Sequence, residues 1–244
     1  LVSGKAGEGK SSLTMQIMAN AVEQGFKCFA YSGELPNYMF KNWLNLQIAG
    51  PQHINEYSNE WGDRQYRLSN INQQLISQWY DDKFYLYDNN IIGDNDEQEL
   101  LLNIVENAIK QYGVRVVLLD NLMTAIDLTE KIGTDKYDQQ SSFVKKLTRL
   151  ALKYNVLIIL VANKRKNNFS QNDNDEVSGS SDIPNLATIV LSYEKNKDIN
   201  PSQRLCKVTK NRLFGKVYPQ GFILDFNEKS KRIYGQSDDV NKEY

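Results

Sequence analysis

The sequence holds little that could cross-link it. Cys28 and Cys206 are its only cysteines, and both sit in apolar stretches. A disulfide framework is excluded, a zinc site is disfavoured, and intracellular, cytoplasmic residence is the expectation, in a bacterial or phage-encoded setting. The single histidine, His53, stands without an evident partner and is assigned no role. Long apolar runs are lacking: the longest, Val156 to Ala162, is far shorter than the ~20 residues that cross a bilayer. No signal peptide and no internal repeat are found. Charge of one sign is also missing. With a net charge of −1, no global field draws the chain to nucleic acid, so any such site must be a local patch. There is no initiator methionine, and the chain opens inside a strand-like segment. That predicts a fragment whose upstream part is missing.

What remains suits one large α/β domain. The chain has 244 residues, 41% hydrophobic and 24% charged, enough for a sizeable core in a soluble protein. Its first dozen residues organise the rest. Gly4-Lys5-Ala6-Gly7-Glu8-Gly9-Lys10-Ser11 fits G-x-x-x-x-G-K-[ST], the phosphate-binding loop or Walker A motif, and Ser12 follows directly. Glycines let the backbone curl so that successive N–H groups face phosphate oxygens. Lys10 reaches the β- and γ-phosphates, and Ser11 places a hydroxyl on Mg²⁺. The motif needs a strand before it and a helix after it. Leu1-Val2 supplies the strand end; Leu13, Ile17, Met18 and Ala21 supply one apolar helical face, closed by Gly25.

Further along, Lys27 to Ser32 reads as a second strand, and 37–49 as a helix broken by Gly50-Pro51. Residues 52–63 read as loop. Arg64 to Tyr80 reads as a polar helix, with Leu68, Ile71, Leu75 and Trp79 on one stripe. Phe84 to Tyr87 is a short strand, 88–99 an acidic loop, and Leu100 to Tyr112 a helix ended by Gly113. Arg115 to Asp120 is a buried strand that delivers Asp120 at its C-terminal end. A polar loop is expected over 127–138, then a helix marked by Phe143, Leu147, Leu150, Ala151 and Tyr154. Val156 to Ala162 reads as a central parallel strand. Three more strands are expected at 187–193, 205–210 and 221–226, the last two a hairpin around Gly215. The tail 236–244 is polar and expected to be disordered. This order predicts a mostly parallel sheet with helices on both faces and antiparallel C-terminal strands, as one domain over 1–235.

Asp120 is the natural second part of a nucleotide site, holding Mg²⁺ through its water shell. Hydrolysis also needs a group to deprotonate or orient water. Many ATPases place a glutamate directly after the metal aspartate; here Asn121 stands there and cannot act as a base. Glu34, just beyond the second strand, reaches the same sheet edge as the phosphate loop and is the best substitute.

Together, Ser32-Gly33-Glu34-Leu35, Asp120-Asn121 and Lys210-Asn211-Arg212 resemble the RecA-like core of DnaB-type replicative helicases, closest to the phage primase-helicase and Twinkle branch. The resemblance covers nearly the whole chain. It implies Glu34 as catalytic base. It implies Lys210 and Arg212 as the Lys-x-Arg pair whose arginine acts on the neighbouring subunit's ATP. Asn163 stands where the family has a γ-phosphate sensor, usually His or Gln. Lys164-Arg165-Lys166 matches a DNA-binding loop of the central channel, and Ser178-Gly179-Ser180 matches a Gly-Ser stretch of that loop, Gly179 included; the family arginine shortly after it is absent. Phe226 lies near where some relatives stack an aromatic on adenine. The implied partners are ATP, Mg²⁺, single-stranded DNA, a primase domain or protein, and further copies in a ring, a hexamer in the family. A recombinase, another RecA-fold ATPase or a nucleotide-switch helicase loader remain as alternatives.

Overall fold

The computed structural model describes residues 1–89, 100–128, 135–164, 177–180, 182–195 and 200–244. Short apolar, β-branched runs form its parallel core: β1 (Val2–Gly4), β2 (Cys28–Ser32), β5 (Phe84–Leu86), β6 (Val116–Asp120), β7 (Leu157–Asn163) and β8 (Ile189–Lys195). Two further strands, β3 (Ile54–Ser58) and β4 (Arg64–Leu68), stand apart from it. Three strands close the C-terminal side: β9 (Gln203–Asn211), β10 (Tyr218–Phe226) and β11 (Ile233–Tyr234). The nine-stranded sheet runs β11-β10-β9-β8-β1-β7-β6-β2-β5. Pairing is parallel from β5 through β8 and antiparallel from β8 to β11. This is the expected architecture.

Helices cover both faces. On one lie α1 (Lys10–Glu23), α2 (Asn37–Ala49) and α3 (Asn70–Trp79), packed on the sheet through Met15, Met18, Phe40, Leu44 and Ile76. On the other lie α4 (Leu101–Tyr112), α5 (Leu122–Asp127) and α6 (Lys136–Tyr154), through Val105, Leu122, Phe143 and Leu147, followed by the short α7 (Asp182–Leu186). β6 is buried along its whole length, which is why it reads as a continuous apolar run rather than an alternating one.

The structure departs from expectation in three places. Residues 52–63 and the start of the expected helix at Arg64 instead form the separate antiparallel pair of β3 and β4. Asn59 makes the turn: its Oδ1 accepts from the N–H groups of Trp61 and Asp63, and Gly62 has φ 82°. Leu68 faces the core from β4, while Ile71 and Leu75 of α3 are exposed; their helical spacing is accidental. Second, α5 begins directly after Asn121, earlier than any expected helix there; part of the expected polar loop, 129–134, lies outside the described residues. Third, the segment expected as a disordered tail is packed. The Tyr244 N–H donates to the carbonyl of Ile48, Tyr244 contacts the core, and Lys242 pairs with Glu23 at 2.6 Å. Glu243 is also the partner of His53. Among the described residues, no helix is long and apolar enough to cross a membrane.

Candidate active site

All the parallel strands end at one edge, and the candidate residues collect there. Register sets Gly4 beside Asn163, and Ser32 beside Asp120. The loop after Gly4 turns through left-handed glycines, with φ 77° at Gly7 and 94° at Gly9, values that L side chains rarely adopt. Gly4 is also sterically required, because a Cβ there would stand 2.0 Å from the carbonyl oxygen of Tyr193 on β8. Gly9 is the N-cap of α1 and has no side chain to cap it. The first N–H groups of α1 are therefore left for an external acceptor, and the helix dipole favours an anion.

Lys10 is buried and donates through Nζ to the carbonyls of Gly4 (3.0 Å) and Lys5 (2.8 Å), across the mouth of the loop. Burial holds its ammonium below the ordinary lysine range, partly offset by Asp120, Glu8 and Glu34. Glu8 braces the loop by accepting from the Lys5 N–H at 3.2 Å. The Ser11 hydroxyl donates to the Asp120 carboxylate at 2.6 Å. Burial raises the Asp120 carboxyl, and the charge of Glu34 adds to this; Ser11 and Lys10 oppose it. Ser12 is buried, and its carbonyl accepts from Gln47 of α2. A carboxylate and a hydroxyl beside an uncapped helix N-terminus are hard oxygen donors next to an anion cradle. That donor set fits Mg²⁺ carried by phosphates.

Glu34 sits on the turn after β2, exposed at the same edge. Its carboxylate accepts a hydrogen bond from the side-chain amide of Asn121. Asn121 also caps α5, accepting from the N–H groups of Met123 and Thr124 in a capping box. The turn lies close on α5 because Gly33 has no side chain: a Cβ there would meet Thr124 Oγ1 at 2.2 Å. Asn121 thus holds Glu34, a contact that sequence reasoning misses. Its only local signal is Asn-x-x-Thr ahead of an apolar run.

Arg212 and Lys210 lie elsewhere. β9 runs antiparallel to β8, so Arg204 pairs with Lys195 at the phosphate-loop edge, while Asn211 pairs with Ile189 at the opposite edge. Arg212 follows Asn211, exposed, about 26 Å along the strand from Arg204 at ~3.3 Å per residue. Lys210 donates to the carbonyls of Pro184 (2.6 Å) and Asn185 (2.9 Å). Its ammonium is lowered by burial and by Arg212. The pair is not brought to this chain's own loop.

Asn163 ends β7 beside the loop, and its carbonyl accepts from the Ser178 N–H at 2.7 Å. Lys164 corrects the picture of an exposed basic run: it is 4% exposed, and its N–H donates to the Gly4 carbonyl at 2.9 Å. It is buried because it pairs with Val177 as the chain re-enters the fold. Arg165 and Lys166 lie outside the described residues. Gly179 has φ 118° and sits against Gln140 of α6, whose Oε1 a Cβ would approach to 2.3 Å. Phe226 ends β10 at the loop edge, with the Arg204 guanidinium 5.2 Å from its ring centre.

Fold and edge arrangement are those of the RecA-like P-loop domains. No protein-family model and no curated protein matches the sequence. Among solved structures, the chain is similar to the ATPase domain of a DnaB-like helicase, with a TM-score of 0.73 and 14% identity over 97% of this chain and 84% of that one. It is also similar to a second DnaB-like replicative helicase, solved with attention to its interactions with primase, with a TM-score of 0.69 and 14% identity. That match covers 95% of this chain and 56% of the helicase, so this chain spans little more than half of its length.

Proposed function

We propose that this chain is the ATPase motor domain of a ring-forming replicative DNA helicase. The observation that carries the reading is the Ser11–Asp120 hydrogen bond of 2.6 Å beside the uncapped start of α1, with Glu34 held one strand away. Lys10 and the loop N–H groups would hold the triphosphate. Ser11 and Asp120 would hold Mg²⁺, which supplies charge neutralisation at the β- and γ-phosphates. Glu34 would accept the proton of the attacking water, oriented by Asn121. Asn163 is suited to sense the γ-phosphate, and Phe226 to stack on the base.

Arg212 supports a second copy in the reaction. Because it stands at the opposite edge of the sheet, it can reach only a neighbour's ATP, as an arginine finger does. Lys210 would stand beside it. Repetition of that heterologous contact closes a ring, a hexamer on the family pattern. Arg165 and Lys166, with the turn at Gly179, would meet single-stranded DNA in the channel, and a primase would act alongside.

The test is ATPase activity with and without single-stranded DNA, wild type against Lys10→Ala. Turnover should rise with DNA, and Lys10→Ala should abolish nucleotide binding, because no other loop cation can meet the β- and γ-phosphates. Normal turnover in Lys10→Ala would sink the active-site assignment. DNA-independent turnover would favour a RecA-fold ATPase other than a helicase.

A further inference from the structure

Arg204 has no motif in the sequence to single it out, yet the fold brings it to the phosphate loop. It is 6% exposed. Burying a guanidinium is costly unless its donors are met. Here Nε donates to the Glu8 carbonyl at 3.0 Å, and Nη1 donates to the carbonyls of Pro201 (2.8 Å) and Gln203 (2.9 Å). The ring of Phe226 covers its face, 5.2 Å from centroid to guanidinium carbon. No ion pair involves it among the described residues. Two of these carbonyls belong to its own strand and the approach to it. The third belongs to the phosphate loop, nearly two hundred residues away in sequence.

That third contact acts on a particular peptide. In a planar trans peptide, the carbonyl of one residue and the N–H of the next point in opposite directions. A donor that draws the Glu8 carbonyl outward therefore aims the Gly9 N–H inward. Gly9 has φ 94°, and glycine has no side chain to bias that peptide. The orientation must come from outside the loop. Nε of Arg204 is also the nearest atom to the space a Gly9 Cβ would occupy, at 3.6 Å.

We propose that Arg204 is a positioning residue of the phosphate loop, fixing the Glu8–Gly9 peptide so that the Gly9 N–H faces the phosphate. This rests on the reading of the loop as an ATP site. Arg204 touches no phosphate itself. It works through a backbone carbonyl, from the antiparallel half of the sheet. Lysine cannot replace it fully, since an ammonium lacks the fixed fork that serves three carbonyls at once.

The test uses Arg204→Gln and Arg204→Lys, with Lys10→Ala as a control. The affinity of each for a fluorescent methylanthraniloyl-ADP with Mg²⁺ is measured well below its melting temperature. Loss of one charge-assisted bond that orients a ligand donor should weaken binding on the order of tenfold in Arg204→Gln. Arg204→Lys should fall between that variant and wild type. If Arg204→Gln does not fold, weakened binding by folded Arg204→Lys carries the proposal. A merely structural arginine would lower the nucleotide-free melting temperature and leave the affinity of the folded protein unchanged. Wild-type affinity in either folded variant, with binding lost in Lys10→Ala, would overturn the role of Arg204 and leave the ATP site standing. Wild-type affinity in Lys10→Ala would overturn the ATP-site reading itself.

Discussion

Glu34 and Asp120 are two carboxylates at one sheet edge with opposite surroundings. Glu34 is exposed and takes a hydrogen bond from Asn121. Glu34→Gln preserves shape but cannot take a proton, so nucleotide affinity should persist while turnover falls about 10²–10⁴-fold. Single-turnover hydrolysis measures this; a loss below about threefold would make Glu34 a bystander. Asp120 is 3% exposed, with its carboxyl raised mainly by burial. A raised carboxyl costs stability when ionised. That cost is absent below the unfolded value of 3.8 and grows as pH climbs through the higher folded value. Asp120→Asn should therefore melt above wild type at neutral pH in nucleotide-free, metal-free buffer. The gain should vanish as pH falls below the ordinary carboxylate range. Melting curves across that span decide it: a gain that does not change with pH would mean that the buried charge is not its source. The same substitution should weaken Mg²⁺-dependent nucleotide binding.

Among the elements, α5 ties the fold to the site. Its cap, Asn121, is also the partner of Glu34. Asn121→Ala should cost roughly 0.5–2 kcal/mol of stability through the lost cap. It should also slow turnover less than Glu34→Gln does, because the base survives but is no longer held. Denaturant melts together with steady-state rates separate the two effects; unchanged rates would leave Asn121 as a cap only. The phosphate loop, β6 with Asp120, and the β2 turn with Glu34 are legible in sequence, because each is a local pattern with its own spacing. The elements that escape such a reading depend on partners far along the chain. β4 looks helical because Leu68, Ile71 and Leu75 happen to fall at helical spacing, yet only Leu68 is buried. α5 is hidden because a short helix starting just after Asn121 has almost no periodicity to show. Lys164 looks exposed because a basic run usually is; its pairing with Val177 is tertiary. Arg204 has no motif at all, and its role arises only when β9 folds back onto the loop.

On the scale of the whole molecule, β9 runs from the phosphate-loop edge to the opposite edge of the sheet. On the proposed reading, Arg212→Ala subunits bind ATP through their own Lys10 but fail to serve their neighbours. An arginine finger contributes about 10³–10⁵ in rate, so a pure Arg212→Ala ring should be inactive. Mixed with Lys10→Ala subunits, it forms some interfaces where an intact loop faces an intact arginine. Partial ATPase activity should return in confirmed mixed rings, measured against each variant alone. No recovery would reject action across the interface.

The span of β9 also sets how such lesions would be inherited in a mixed population. Each subunit takes part in two contacts, offering Lys10 to one and Arg212 to the other. A copy that lacks one of these residues spoils a single contact, so working contacts fall in proportion to the intact fraction. A copy that lacks both spoils the contacts on each side, and working contacts fall with the square of that fraction. The doubly altered chain would behave as the stronger dominant poison, although neither of its changes alters the surface of the subunit beside it.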